Sequence, residues 1–183
     1  SEEKTFTLGH VDFIKPRIET AVVSIDKKNK TETIKFNVID KYYDIDNPKL
    51  DKSDISVYID GEVANITKSL SVVEDITATI NGETKVIGKQ YALQLWNFEK
   101  ARTSINYNRE YTDWSGNIQI KIAQDLIKDT SDNKNDETSI DGQFVDCIKP
   151  DVTYQYTLSN VDKVNKTYTM VFDMTDKYYN EST

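Results

Sequence analysis

The stretch Thr31-Glu32-Thr33-Ile34-Lys35-Phe36-Asn37-Val38-Ile39-Asp40 alternates polar and apolar residues with a period of two. Ile34, Phe36 and Val38 share one face of an extended chain, and charged or amide side chains occupy the other. This pattern is typical of a half-buried β-strand. The same alternation recurs in further segments, which we predict to be strands: 18–25, 55–59, 76–80, 91–96, 118–122 and 168–174.

Turn-forming pairs separate the predicted strands. They are Asp60-Gly61, Asn81-Gly82, Ile87-Gly88 and Ser115-Gly116. Asp-Gly and Asn-Gly favour the two-residue turns of β-hairpins. No segment shows a convincing amphipathic-helix pattern, so about seven or eight short strands in roughly 130 residues predict an all-β, antiparallel sandwich.

Composition excludes several classes of function. The chain has 183 residues with 31 acidic and 23 basic side chains, a net charge of −8. We expect no nucleic-acid binding, because that affinity comes mostly from Lys and Arg on phosphates. We also expect no membrane insertion, because no apolar run approaches the ~18 residues that a span needs. One His and one Cys exclude an internal disulfide and any zinc site built from several such residues.

The chain contains an internal repeat. Val-Asp-Phe-Ile-Lys-Pro at 11–16 recurs as Val-Asp-Cys-Ile-Lys-Pro at 145–150, an offset of 134. After a two-residue insertion, 11 of the 19 positions in 25–43 are identical to those 136 residues later. We therefore predict three parts, with a flexible junction at Gly142: the tail of a preceding repeat (1–9), a complete domain (10–143) and the first strands of a second, truncated repeat (144–183).

Three motifs resemble one known family. They are the opening Val-Asp-x-Ile-Lys-Pro with its strand ending in Asp-Lys-Tyr-Tyr, Asp-Trp-Ser-Gly-Asn at 113–117, and Ile-Lys-Asp-Thr-Ser-Asp-Asn-Lys-Asn at 127–135. Together they resemble the tandem bacterial immunoglobulin-like (Big-type) repeats of large cell-surface proteins. The resemblance implies an immunoglobulin-like sandwich, an extracellular location on the bacterial surface (secreted or anchored to the cell wall), and frequent calcium sites near domain junctions. Asp132 stands where the family pattern usually has Gly, and we expect the turn to survive because Asp tolerates the left-handed conformation.

Two acidic segments are candidates for a calcium site, because Ca²⁺ takes six to eight oxygen ligands. The candidate ligands are Asp40, Asp44 and Asp46 in the first segment, and Asp129, Asp132, Asn133 and Asn135 in the second. No EF-hand loop is present. The alternative is that these residues form solvated turns, where Asp and Asn are favoured because they bond their own backbone.

Three aromatic residues are candidates for a binding surface. Tyr42 and Tyr43 could contact a partner, since Tyr is enriched at interfaces. The alternative is that one of the two caps the core, because adjacent residues of a strand point to opposite faces. Trp114 follows an Asp in a turn-like segment and could stack on a sugar or pack at a sheet edge.

We expect a non-catalytic protein: a structural or spacer module of a tandem-repeat surface protein, in the stalk of an adhesin-like rod. Its partners would be the neighbouring repeats of the same chain. Two alternatives stay open. The module could be adhesive and bind a host glycan or protein, or it could be a filament subunit that exchanges strands with another copy by strand pairing.

Overall fold

The computed structural model of the chain describes residues 12–46, 50–98, 102–103, 115–155, 161–168 and 170–176. Within these ranges a first group of strands forms two antiparallel sheets. The strands are β1 (Arg17–Asp26), β2 (Thr31–Ile39), β3 (Ile55–Ile59), β4 (Glu62–Asn65), β5 (Thr67–Ile80), β6 (Glu83–Trp96), β7 (Arg102–Thr103), β8 (Ser115–Ile122) and β9 (Thr138–Asp146). A 3₁₀ turn, Lys52–Asp54, precedes β3.

The two sheets form a β-sandwich. One sheet has the strand order β1-β2-β6-β5, and the other has the order β7-β4-β3-β8-β9. All register pairs are antiparallel. The all-β antiparallel sandwich predicted from the period of two is therefore confirmed, and its arrangement is consistent with the immunoglobulin-like fold that the resemblance implies. In the part of the chain that the structure describes, no helix is long and apolar enough to cross a membrane.

Strand β2 supplies the centre of the core as its alternation predicts. Ile34, Phe36 and Val38 have no exposed surface, while the residues between them are partly exposed. The ring of Phe36 stacks on that of Tyr91 in β6, with ring centroids 5.5 Å apart. Burying an aromatic ring of this kind stabilises a core by about 3–5 kcal/mol, measured as the cost of its truncation to Ala.

Two of the four predicted turns are correct. Asp60-Gly61 joins β3 to β4 and Asn81-Gly82 joins β5 to β6, each with positive φ at both residues, as a type I′ hairpin requires. The predicted turn at Ile87-Gly88 is wrong, because Gly88 lies inside β6. A Cβ on Gly88 would lie 2.0 Å from the carbonyl oxygen of Val38, so close approach of the two strands requires Gly there.

The predicted turn at Ser115-Gly116 is also wrong, because both residues begin β8. Residues 143 and 144, on either side of the predicted boundary, both belong to β9. β9 continues to Asp146, which pairs with Ser115, and Val145 belongs to the buried core. Gly142 is therefore a residue of the sheet and not a flexible junction.

A second hairpin follows the sandwich. It comprises β10 (Asp151–Gln155), β11 (Val161–Asp162), β12 (Thr167–Tyr168) and β13 (Val171–Thr175), with β10 paired to β13 and β11 to β12. Its outermost pair, Asp151↔Thr175, is equivalent to Arg17↔Ile39 at the offsets of 134 and 136. The pair beside its turn, Asp162↔Thr167, is equivalent to Asp26↔Thr31.

The turns of the two hairpins are also built alike. Asp26 accepts hydrogen bonds from the backbone of Lys28 and Asn29 and from the Asn29 side chain. Asp162 makes the corresponding three bonds, the side-chain bond again from an Asn three residues on. The second hairpin therefore has the register and turn of β1–β2. The extents of the three predicted parts stay a prediction, and residues 1–9 lie outside the described residues.

Candidate metal centre

Three aspartates from distant parts of the sequence meet at one end of the sandwich. Asp12 precedes β1, Asp40 follows β2, and Asp129 lies in the connection between β8 and β9. One carboxylate oxygen of each lies within 4.8 Å of the others. All three residues are buried, with 8%, 4% and 1% of their surface exposed. We refer to Asp12, Asp40 and Asp129 as the aspartate triad.

Local hydrogen bonds fix the first two carboxylates. Asp12 Oδ1 accepts the N–H of Ile14 at 3.0 Å, and Asp40 Oδ1 accepts the N–H of Tyr42 at 2.7 Å. Both are the short-range turns that Asp forms with the backbone two residues on. The N–H of Asp40 donates to Ile87 in β6 at 2.8 Å, which fixes this residue to the neighbouring strand.

Asp129 is held from two directions. Its Oδ1 accepts the N–H groups of Ser131 and Asn133, and its Oδ2 accepts the side-chain amide of Asn133 at 2.7 Å. The same amide donates to the carbonyl oxygen of Asp12 at 2.9 Å. Thr130 donates to the carbonyl oxygen of Tyr42 at 2.9 Å, which draws this connection to the end of β2.

The triad concentrates negative charge in a buried place. Burial raises the pKa of Asp40, the neighbouring Asp129 and Asp12 carboxylates raise it further, and the Tyr42 N–H and Arg17 oppose them. Of the ion pairs between described residues, none includes a member of the triad. Each carboxylate also accepts a backbone N–H. A cation among the three oxygens would offset their repulsion.

The spacing suits a hard divalent cation. Calcium binds oxygen at 2.3–2.6 Å, so two ligands on opposite sides of one ion lie about 4.8 Å apart. The three triad oxygens stay within that limit. Three carboxylates supply fewer than the six to eight ligands that calcium takes, so backbone oxygens or water would complete the shell.

Two of the seven predicted ligands, Asp40 and Asp129, come together in the triad. Asn133 lies beside it, but its side chain acts as a hydrogen-bond donor to Asp129 and to the Asp12 carbonyl. Asn135 is buried, and within the described residues its side chain bonds only backbone groups: it accepts from Leu126 and Ile127 and donates to the carbonyls of Ala123 and Asp136. These bonds use its donor and acceptor groups and hold the β8–β9 connection together.

The remaining predicted ligands lie apart from the triad. Asp44 accepts the N–H of Asp46 at 3.1 Å in a solvated turn. Asp132 forms an exposed ion pair with Lys128 at 2.9 Å. Asp132 has φ 64°, the left-handed conformation expected where the resembled family has Gly.

The predicted aromatic surface is divided between the core and the solvent. Tyr43 is buried, with 8% of its surface exposed, and shares a hydrogen bond with Tyr91. Tyr42 is half-buried, and the ammonium group of Lys41 lies 5.2 Å from the centroid of its ring. Because the Tyr43 ring is buried, the two rings do not form a joint exposed surface. Trp114 lies outside the described residues.

Asp12 is the triad member that the sequence prediction missed. The available signal was its place in the repeated Val-Asp-x-Ile-Lys-Pro motif, where Asp146 is its counterpart. Asp146 Oδ1 accepts the N–H of Ile148 at 2.9 Å, which is the bond that Asp12 makes with Ile14.

Comparison of the chain with family models, with curated proteins and with solved structures finds no match in any of the three.

Proposed function

We propose that this chain is a non-catalytic spacer module of an extracellular tandem-repeat surface protein, fastened at its leading end by a calcium ion. The observation that carries the proposal is where the chain enters and leaves the sandwich. The triad fixes Asp12 beside Asp40, at the end of β2. The last residues of β9 border the β1–β2 turn instead, in a pocket with Lys27 and Lys30.

The two ends of the sandwich are separated by the length of β1. This strand has 10 residues, which span about 33 Å at ~3.3 Å per residue. A module that is entered at one end and left at the other adds its length to an array. The second hairpin, with the register and turn of β1–β2, follows directly after the exit and supports a tandem arrangement.

Calcium would act mechanically in this proposal. The triad joins the leading segment at Asp12 to the end of β2 and to the β8–β9 connection, which are 28 and 117 positions further along the chain. A load applied to the leading segment would therefore pass through three points of the sandwich at once. This role needs no substrate and no reacting group.

The first experiment measures the thermal midpoint of the chain in excess calcium and in EDTA. A cation that binds only the folded state stabilises by about 2.7 kcal/mol at 100 times its dissociation constant. We expect a concentration-dependent rise that Asp129→Asn removes and the control Asp44→Asn retains. A rise of the same size in both variants, or no rise in the unmodified chain, would contradict the calcium site.

The spacer role is tested separately by single-molecule force spectroscopy with handles at the two chain ends. Strands that run between the points of attachment are loaded in shear, so we expect one cooperative unfolding event for the sandwich. EDTA should lower its force. Extension at low force without a discrete event would refute the spacer role even if calcium binds.

The filament alternative is favoured by one observation, the apolar face of the second hairpin. Met170, Phe172 and Met174 are 51–63% exposed, whereas their counterparts in β2 are fully buried. If the hairpin joined a sheet of a second copy by strand pairing, the opposite sheet of that copy could cover this face. Sedimentation at increasing concentration tests it: a monomer at every concentration would exclude this alternative.

A further inference from the structure

Glu32 is a carboxyl group inside the sandwich. It lies on the inward face of β2, two residues before Ile34, and none of its surface is exposed. Its Oε1 accepts the N–H of Gln143 in β9 at 2.6 Å, which links the two sheets. Its Oε2 is buried and has no hydrogen-bond partner among the described residues.

A β-bulge presents the backbone of β9 to this carboxyl. The β8–β9 register shifts between Asn117↔Phe144 and Gln119↔Asp141, so two residues of β9 face one of β8. The N–H of Gln143, one of the two bulged residues, points to Glu32 instead.

The other bulged residue, Gly142, makes room for the carboxyl. A Cβ on Gly142 would lie 2.6 Å from Glu32 Oε1 and 3.0 Å from the side chain of Ile118. The contact between Glu32 and the bulge therefore requires Gly at this position.

The surroundings of Glu32 carry no charge among the described residues. Its register partners are Ile25 in β1 and Leu95 in β6, and the opposite sheet contributes the bulge and Ile118. Charged side chains on β1 and β9 are exposed and engaged elsewhere: Asp26 with Asn29, and Asp141 with Gln119. Burial raises the pKa of Glu32 to about 7, and the hydrogen bond from Gln143 lowers it by less.

The end of β9 is the weaker side of this contact. β2 is paired with strands on both sides, whereas β9 is an edge strand whose described ladder partner is β8, joined to the other sheet by the two bonds of Gln143 to Glu32 and to the Val23 carbonyl. Beyond the bulge only three register pairs hold β9 before the segment that leads to the second hairpin. A charged, unpartnered Oε2 can reach water if this short end separates.

We propose that Glu32 is a pH-sensitive latch on the end of β9: protonated, it holds residues Gln143–Asp146 against the sandwich, and ionised, it releases them. The latch stands independently of the spacer function. It belongs to the first sandwich alone, because the equivalent position of the second hairpin carries Tyr168.

The direction of the pH dependence follows from the raised pKa. Between pH 4.5, the ordinary pKa of Glu, and about pH 7, Glu32 keeps its proton while the end of β9 is closed and loses it when that end is open. Closure is therefore fully favoured below pH 4.5 and weakens as the pH rises towards 7. Proton linkage with these two values raises the opening constant by about 70-fold between pH 5 and pH 8.

The experiment is amide hydrogen exchange of the full chain between pH 5 and pH 8, corrected for the intrinsic rate at each pH. We expect the protection of the Gln143 amide, which donates to Glu32, and of those amides of residues 144–146 that bond to β8, to fall on the order of 10- to 100-fold. Glu32→Gln keeps an acceptor for Gln143 and cannot ionise, so its protection should not depend on pH. The control Glu62→Gln, at an exposed site in β4, should behave as the unmodified chain.

Two results would overturn the latch. One is constant protection of these amides in the unmodified chain. The other is a loss that persists in Glu32→Gln or affects the whole sandwich equally. Should Glu32→Gln fail to fold, carbon-13 NMR of the side-chain carboxyl in the unmodified chain gives the same decision. A midpoint near 7 with coincident exchange supports the latch, and a midpoint near 4.5 overturns it.

Discussion

Replacement of Asn135 by Ala distinguishes a structural residue from a metal ligand. The side chain is 2% exposed and makes four hydrogen bonds of 2.8–2.9 Å, all to backbone groups. A hydrogen bond of this kind contributes about 1 kcal/mol net, and a buried group left unpaired costs about 1–3 kcal/mol. Because some of the exposed partners can turn to water, we expect Asn135→Ala to lower the free energy of unfolding by about 3–5 kcal/mol.

The assay is urea denaturation, repeated in excess calcium and in EDTA. Replacement of a structural residue lowers the free energy of unfolding equally in both conditions. Replacement of a metal ligand lowers it more when calcium is present. Asn135→Asp provides the sharper comparison: it keeps the oxygen that accepts two N–H groups, loses the NH2 group that makes both donated bonds, and places a carboxylate oxygen against two carbonyl oxygens. We expect it to destabilise the chain and to leave the calcium response unchanged.

The matched control is Asn29→Ala, an exposed residue that bonds only within its turn. It should cost no more than about 1 kcal/mol. The structural role of Asn135 would be refuted by a cost below about 1 kcal/mol for Asn135→Ala, or by a cost that disappears in EDTA.

Three further predictions concern packing and the repeated hairpin. Gly88→Ala should cost about 1–3 kcal/mol or more in urea denaturation, because its Cβ would lie 2.0 Å from a β2 carbonyl oxygen that cannot rotate away; a neutral result would contradict that approach. Phe36→Ala should cost about 3–5 kcal/mol, whereas Phe172→Ala, 63% exposed at the equivalent position, should change the free energy of unfolding by less than about 0.5 kcal/mol. The pKa values of Asp26 and Asp162 are both lowered by bonds from the Asn three residues on, so their turns should keep this stabilisation above the ordinary Asp value of 3.8 and lose it as the pH falls further. Carbon-13 titrations in which only one of the two is lowered would contradict the equivalence of the turns.

Much of the sandwich was predictable because strand formation and hairpin turns are local properties. The alternation around Ile34, Phe36 and Val38 places these residues inward whatever they pack against. Asn81-Gly82 adopts positive φ at both positions, which its own covalent structure favours. The sequence did not show why each glycine is needed. Gly82 is needed for its positive φ, whereas Gly88 is needed because another strand passes too close for a side chain.

The candidate metal centre was only partly predictable. The two segments rich in Asp and Asn suggested Asp40 and Asp129, which lie together in the triad. The same composition also suggested Asp132, which forms an exposed ion pair with Lys128. Asp12 lies 28 residues before Asp40 and 117 before Asp129. Only the packing of three separate segments at one end of the sandwich brings these carboxylates together.

The sequence by itself indicated six strands of the sandwich but not β4, β7 or β9. It also determined two of the hairpin turns and the equivalence of two hairpins, because each depends on residues that are neighbours in the chain. The tertiary structure alone decided which polar residues are buried and what they face. The alternation of β2 places Glu32 inward, but its partner is a bulged N–H in another sheet, 111 positions away. The burial of such a group, the charges near it and its hydrogen-bond partners depend on its neighbours in space. Those neighbours are brought together only when the two sheets pack.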